Sequence, residues 1–145
     1  MKSKIRICAA VLLAVILAGL GVYFIAPHRI VVPDGEEIRV EYTVANLTVL
    51  DMTSTAGWET TEYHFSPGDE GYAELVDTLE SVSYRNCFRT LSDTTYFSDI
   101  GYIIYVWIGD ECYSFYDRGY LIADKIYYVS ENDVENIRFV IENYM

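Results

Sequence analysis

The feature that most constrains this chain is an uncharged apolar run near its N-terminus, Ile7 to Ala26. As a helix, these twenty residues would reach about 30 Å, the thickness of a bilayer's hydrocarbon core. The run is apolar on every side, which disfavours the alternative of a helix buried in a soluble core. We therefore predict a single transmembrane helix over residues 7–26, through which the protein binds a membrane.

The flanking charges predict the orientation of this helix. Lys2, Lys4 and Arg6 precede the run, whereas only Arg29 follows it closely. Since cationic flanks stay in the cytoplasm, residues 1–6 should form a cytoplasmic tail. Everything after Pro27 should then lie outside the cell membrane.

A cleaved signal peptide is the alternative to this uncleaved signal anchor. Signal peptides have an apolar stretch of about 7–15 residues that ends at a small-x-small site. Here the tolerable site, Gly19-Leu20-Gly21, lies inside the run, and a cut after Ala26 would put Phe24 where a small residue belongs. We favour the anchor; cleavage would instead give a secreted domain.

The remaining chain is strongly acidic. From residue 30 onward, six cationic residues face 22 acidic ones, a formal charge of −16. This argues against nucleic-acid binding, which requires a basic patch, and against lying on an anionic lipid surface. The charge favours solubility, and binding of a basic partner or of divalent cations is the more specific interpretation.

After a short connector at 27–37, residues 38–145 should form one extracytoplasmic domain. Helices are expected after the N-cap candidates Ser66, with Pro67 in the first helical position, and Ser130. Residues 92–99 read as a loop. Strands are predicted over Ile38–Val44 with a continuation past Asn46, Trp58–Phe65, Tyr84–Leu91, Tyr102–Ile108, Glu111–Asp117 and a pair within Tyr120–Val129.

This order predicts an α+β fold. Sequential strands joined by short turns make a mainly antiparallel sheet, and two helices packed on one face of it complete a two-layer domain. The anchor, the strands, "SPGDEGYAELVDTLESV" and "YYVSENDVENIRFVIENY" together resemble small anchored or secreted proteins of Gram-positive bacteria that are classed as domains of unknown function. The resemblance implies an extracytoplasmic α+β domain and no catalytic residues.

The segment from Gly101 to Tyr120 carries five of the fourteen tyrosines. Gly109-Asp110 reads as a two-residue hairpin turn, which fixes the register of the flanking strands. Ile104, Val106 and Phe115 should then share the face that takes the helices. Tyr105, Trp107 and Tyr116 should share the other face, where they are candidates for a partner-binding surface because aromatic residues are favoured at recognition sites.

Motifs for catalysis or cofactors are missing from the sequence. No G-x-S-x-G elbow or recognisable Cys–His pair accompanies His28 or His64, and there is no C-x-x-C, H-E-x-x-H, EF-hand or phosphate loop. We expect His64 to be a structural residue. The sequence therefore predicts no enzyme, no metal and no cofactor.

Cys87 and Cys112 are expected to remain unpaired. In a simple meander the strand 102–108 would lie between them, so their Cα atoms would be about 9–10 Å apart. A disulfide needs about 5.5–6 Å.

These observations favour a membrane-anchored, non-enzymatic binding or accessory domain on the outer face of a bacterial membrane. One alternative is an inhibitor or immunity-type protein that binds a basic partner by charge. Another is an envelope hydrolase that uses two converging carboxylates, one of them with a raised pKa.

Overall fold

The computed structural model describes residues 2–45, 57–91 and 101–144. The three α-helices in these ranges are α1 (Lys2–Ile25), α2 (Tyr72–Ser81) and α3 (Glu131–Asn143). The strands are β1 (Pro27–Arg29), β2 (Ile38–Ala45), β3 (Trp58–Phe65), β4 (Ser83–Asn86), β5 (Tyr102–Ile108), β6 (Glu111–Tyr116), β7 (Tyr120–Ile122) and β8 (Ile126–Val129). The expected continuation past Asn46 and the loop at 92–99 lie outside the described residues.

The strands form one antiparallel sheet in the order β1-β4-β8-β7-β6-β5-β2-β3. One face of it, called here the inner face, carries Val40, Val106 and Phe115, none of which is exposed. These side chains form a single core with the apolar stripes of α2 and α3. The α+β architecture with two helices on one face is therefore confirmed.

Helix α3 follows its predicted pattern. It begins directly after Ser130, although the Ser130 side chain makes no capping hydrogen bond. Val134, Ile137 and Ile141 are fully buried in the core, as their helical spacing predicts. Its polar edge also binds the sheet, because the Tyr42 and Tyr102 hydroxyls of β2 and β5 donate hydrogen bonds to Glu142 and Glu135.

The predicted start of α2 is wrong. Ser66 and Asp69 close a separate turn, in which the Ser66 N–H donates to the Asp69 carboxylate at 2.8 Å. The helix begins six residues later, at Tyr72. Gly68 and Gly71 explain the delay, because their φ angles of 97° and 85° lie in the left-handed region, which a right-handed helix cannot contain.

The strand predicted over Tyr84–Leu91 is also only partly correct. Strand β4 ends at Asn86, and Phe88–Leu91 form a 3₁₀ turn. Thr90 stabilises this turn, since its hydroxyl accepts a hydrogen bond from the Cys87 N–H at 2.7 Å and donates one to the Ile126 carbonyl. Such side-chain bonds to nearby backbone compete with strand pairing.

The expected meander order is wrong as well. Strands β8 and β7 lie between β4 and β6, so the 102–108 strand does not separate Cys87 from Cys112. Three strand spacings, about 14 Å, separate β4 from β6. Both cysteines are free thiols, but the geometric reason differs from the predicted one.

The segment between α1 and β2 contributes to the fold. Pro27–Arg29 pair with β4 as an edge strand, and Pro33 to Glu36 close a turn around Gly35. Ile30 and Val32 enter the core, with only 1% and 6% of their surface exposed. The domain is thereby joined to the apolar helix by packed residues rather than by a free tether.

Candidate functional site

The β5–β6 hairpin places the three candidate aromatic residues on one face. Its register pairs Tyr105 with Ser114 and Trp107 with Cys112, as Gly109-Asp110 predicted. Gly109, the first residue of the turn, has a positive φ of 58°, as primed hairpin turns require at this position. Tyr105, Trp107 and Tyr116 consequently lie on the outer face, defined here as the sheet face opposite α2 and α3.

Trp107 is the centre of this surface. The Arg39 guanidinium carbon lies 4.1 Å from the centroid of the indole ring, a cation–π contact. The Tyr105 ring centroid is 5.7 Å from that of Trp107. Sequence reasoning missed Arg39, because the alternation of β2 put it on the polar face but nothing in the sequence predicted that β2 pairs with β5.

A charged rim borders the aromatic residues on the side of β2 and β3. Arg39 lies 3.7 Å from the carboxylates of both Glu41 and Glu62. His64 is hydrogen-bonded through Nδ1 to Glu37 at 2.7 Å and through Nε2 to Glu62 at 3.2 Å. The Glu37 hydrogen bond, assisted by Glu62, raises the pKa of the His64 imidazole. His64 is thus a hydrogen-bonded surface residue, as expected.

The outer face is covered at its other end. Ile126 and Ser114 lie on it but are buried, with 4% and 8% of their surface exposed. The 3₁₀ turn reaches over this region, since the Arg89 guanidinium stands 4.9 Å from the Tyr120 ring centroid. Tyr116 pairs with Tyr120 on β7, so it lies nearer the covered end than Trp107 does. Burial also raises the pKa of the Tyr116 phenol.

Two carboxylates line a cleft at the hairpin end of the sheet. This cleft, of about 530 Å³, contains Glu36, Glu111 and the cation Arg29 among its lining residues. Glu111 already accepts a hydrogen bond of 2.6 Å from the Tyr113 hydroxyl. Glu36 and Glu111 are thus one pair of acids on which the hydrolase alternative can depend. Two smaller clefts, of about 340 and 310 Å³, are lined by Glu111 with Asp124 and by Glu36 with Glu37.

Neither the cysteines nor the acids indicate a metal site. Burial raises the pKa of the Cys112 thiol, which disfavours the thiolate needed for nucleophilic attack or metal ligation. Across 2–45, 57–91 and 101–144, no three His, Cys, Asp or Glu side chains converge closely enough to hold a metal ion.

No protein-family model, curated protein or solved structure matches this chain.

In the part of the chain that the structure describes, one helix is long and apolar enough to cross a membrane, Cys8–Ile25. Its side chains pack against nothing else in the protein along most of its length: Leu12, Val15 and Leu17, for example, are 62%, 63% and 59% exposed. These properties fit a membrane anchor and equally fit a signal sequence.

Proposed function

We propose that this protein is a membrane-anchored, extracytoplasmic binding domain without catalytic activity, and that it recognises a protein partner through Tyr105, Trp107 and Tyr116. The observation that carries the proposal is the position of Trp107. It lies on the sheet face that the helices leave uncovered, with its ring close to both Tyr105 and Arg39. Trp, Tyr and Arg are the residue types that most often dominate protein interfaces.

The contact between Arg39 and Trp107 is formed before any partner binds. Arg39 and Trp107 are already stacked, so neither side chain has to be ordered when a partner arrives, and the entropic cost of binding is reduced. The charged rim of Arg39, Glu41 and Glu62 would surround the aromatic centre with polar groups, which matches the usual anatomy of an interface.

The partner surface can be tested by photocrosslinking in intact cells. A benzoylphenylalanine at position 105 should form a discrete adduct with a partner protein. The same group at Phe139, which is 61% exposed on the helix side of the domain, is the matched control and should not. Adding Trp107→Ala should abolish the adduct from position 105. Identical adducts from both positions, or none from 105, would refute the proposed surface.

The membrane topology is tested separately. Protease added to intact spheroplasts should digest the domain after residue 30, while a cytoplasmic marker protein survives. Before the protease is added, the domain should be membrane-bound. Recovery of a soluble mature chain that begins near Val22 would show instead that the apolar segment is a cleaved signal.

The acidic charge supports a second candidate, an inhibitor or immunity-type protein that neutralises a basic partner. A complex held mainly by charge loses affinity steeply as salt rises, whereas one centred on Trp107 should change little. Affinity measured at low and high salt for the crosslinked partner decides between the two.

A further inference from the structure

Two of the most exposed apolar side chains of the folded domain lie together on the 3₁₀ turn. Phe88 is 83% exposed and Leu91 is 65% exposed. Residues three apart in a 3₁₀ helix are eclipsed, so both side chains project from the same side of the turn. This pair is called here the apolar edge.

The apolar edge is continuous with the end of helix α1. The Phe88 ring centroid lies 5.1 Å from that of Phe24, in the last turn of α1. Beside it, the Asn86 side-chain amide donates a 2.8 Å hydrogen bond to the Tyr23 carbonyl, one of the last carbonyls of the helix. The turn is therefore attached to the helix end by both an apolar and a polar contact.

The junction is further held by ring stacking. His28, two residues beyond Ala26, lies with its ring centroid 5.4 Å from that of Tyr84 on β4 and 5.6 Å from that of Tyr127 on β8. With β1 paired to β4, these contacts fix the height of the domain relative to the end of α1.

In a membrane, this geometry sets the depth of the apolar edge. A span that ends at Ile25 places Tyr23 and Phe24 at the outer interface, where aromatic residues are enriched. Phe88, in contact with Phe24, must then stand at the same depth. Water is an unfavourable environment for two such exposed apolar side chains, and the acyl boundary of the bilayer is a favourable one.

The charges nearest to this junction are compatible with phospholipid headgroups. Arg29 on β1 and Arg85 on β4 are both exposed. The neighbouring turn adds one charge of each sign, from Asp124 and Lys125. The junction thus carries charges of both signs, since Glu36 and Glu111 also line a cleft with Arg29.

We infer that Phe88 and Leu91 insert into the outer leaflet as a second membrane contact, which holds the domain against the bilayer. This inference rests on the proposed retention of α1 as an anchor. It departs from the expectation, based on net charge alone, that the domain avoids the lipid surface, because the inserted edge itself is apolar.

The test uses the full chain in lipid nanodiscs and quenching of tryptophan by phospholipids brominated on their acyl chains. In a Trp58→Phe, Trp107→Phe background, one tryptophan is introduced at a time, by Leu17→Trp in the anchor, Phe88→Trp at the apolar edge or Phe139→Trp on the exposed side of α3. Leu91→Trp is a second probe of the edge. All four sites are well exposed, so the substitutions leave the core intact.

We expect brominated lipid to quench the emission from positions 17, 88 and 91, and to leave that from 139 unchanged. Quenching at 17 alone would overturn the inference and leave the anchor standing. No quenching at 17 would overturn both, since the helix would not be in the bilayer. Equal quenching at 88 and 139 would also overturn the inference, because the contact would then not be specific to the edge.

Discussion

Truncating two adjacent residues of β5 tests the two faces of the sheet separately, because Val106 lies on the inner face and Trp107 on the outer face. Val106 has no exposed surface and lies in the centre of the core. Val106→Ala removes two buried carbon groups, worth about 0.8 kcal/mol each in transfer free energy. The cavity left behind adds to that, so the free energy of unfolding should fall by about 2 kcal/mol.

Trp107→Ala removes a far larger side chain, but from the outer face. Its loss should forfeit the contact with Arg39, about 0.5–1 kcal/mol for a cation–π pair at an exposed site. The contact with Tyr105 adds about 0.5–1.5 kcal/mol. The total, about 1–2.5 kcal/mol, is comparable to the cost of Val106→Ala, although many more atoms are deleted.

Urea unfolding of the full chain in detergent micelles, followed by far-ultraviolet circular dichroism, measures both values. The slopes of the two transitions should agree with that of the unsubstituted protein, so that the midpoints report stability alone. A loss of about 3–5 kcal/mol for Trp107→Ala, as found for fully buried tryptophans, would mean that the outer face is packed core. The proposed binding surface would then be refuted.

Three further results are expected. A chain that begins at residue 38 lacks β1, Ile30 and Val32, and should be about 3–6 kcal/mol less stable in urea than one that begins at residue 26; equal stability would contradict the packed junction. Burial, together with the hydrogen bond to Glu142, raises the pKa of Tyr42 from 10.0 to about 12, so stability present below about pH 10 should be lost between about pH 10 and 12. Tyr42→Phe should lose less over that interval in melts at several pH values, and an identical loss would exclude this linkage. Cys112 should react with iodoacetamide more slowly in the native protein than in urea, because burial raises the pKa of its thiol; equal rates by mass spectrometry would contradict this.

The parts of the fold that sequence alone predicted are those set by local periodicity. Alternation over Tyr102–Ile108, together with the two-residue loop at Gly109-Asp110, determined which side chain faces which way, because a slip of one residue would reverse every one of them. Helix α3 was predicted from an equally local pattern, because its apolar residues recur at helical spacing. These elements carry the three candidate residues, so the composition of the outer face was predictable.

Long-range pairing was not predictable from the same patterns. Both β5 and β8 have the composition of strands, and no local pattern determines which of them lies beside β4. That choice determines the separation of Cys87 from Cys112. The pairing of β2 with β5 also brings Arg39 onto Trp107. The predicted start of α2 was wrong for a different reason. Ser66 is a favourable N-cap residue type, but Gly68 and Gly71 adopt positive φ angles, so the helix begins only after them.

The structure also explains why an acidic domain contains so many tyrosines. With few cations available, phenol hydroxyls provide neutral donors that satisfy carboxylates without adding charge. Described residues form pairs of this kind at Tyr42–Glu142, Tyr102–Glu135, Tyr113–Glu111, Tyr127–Asp124 and Tyr144–Glu74. Three of them, those of Tyr42, Tyr102 and Tyr144, join separate parts of the fold, so some of the tyrosines serve to hold the sheet and helices together. The number of tyrosines is therefore no argument for a binding site, and the case for recognition depends on the position of Trp107 on the uncovered face of the sheet.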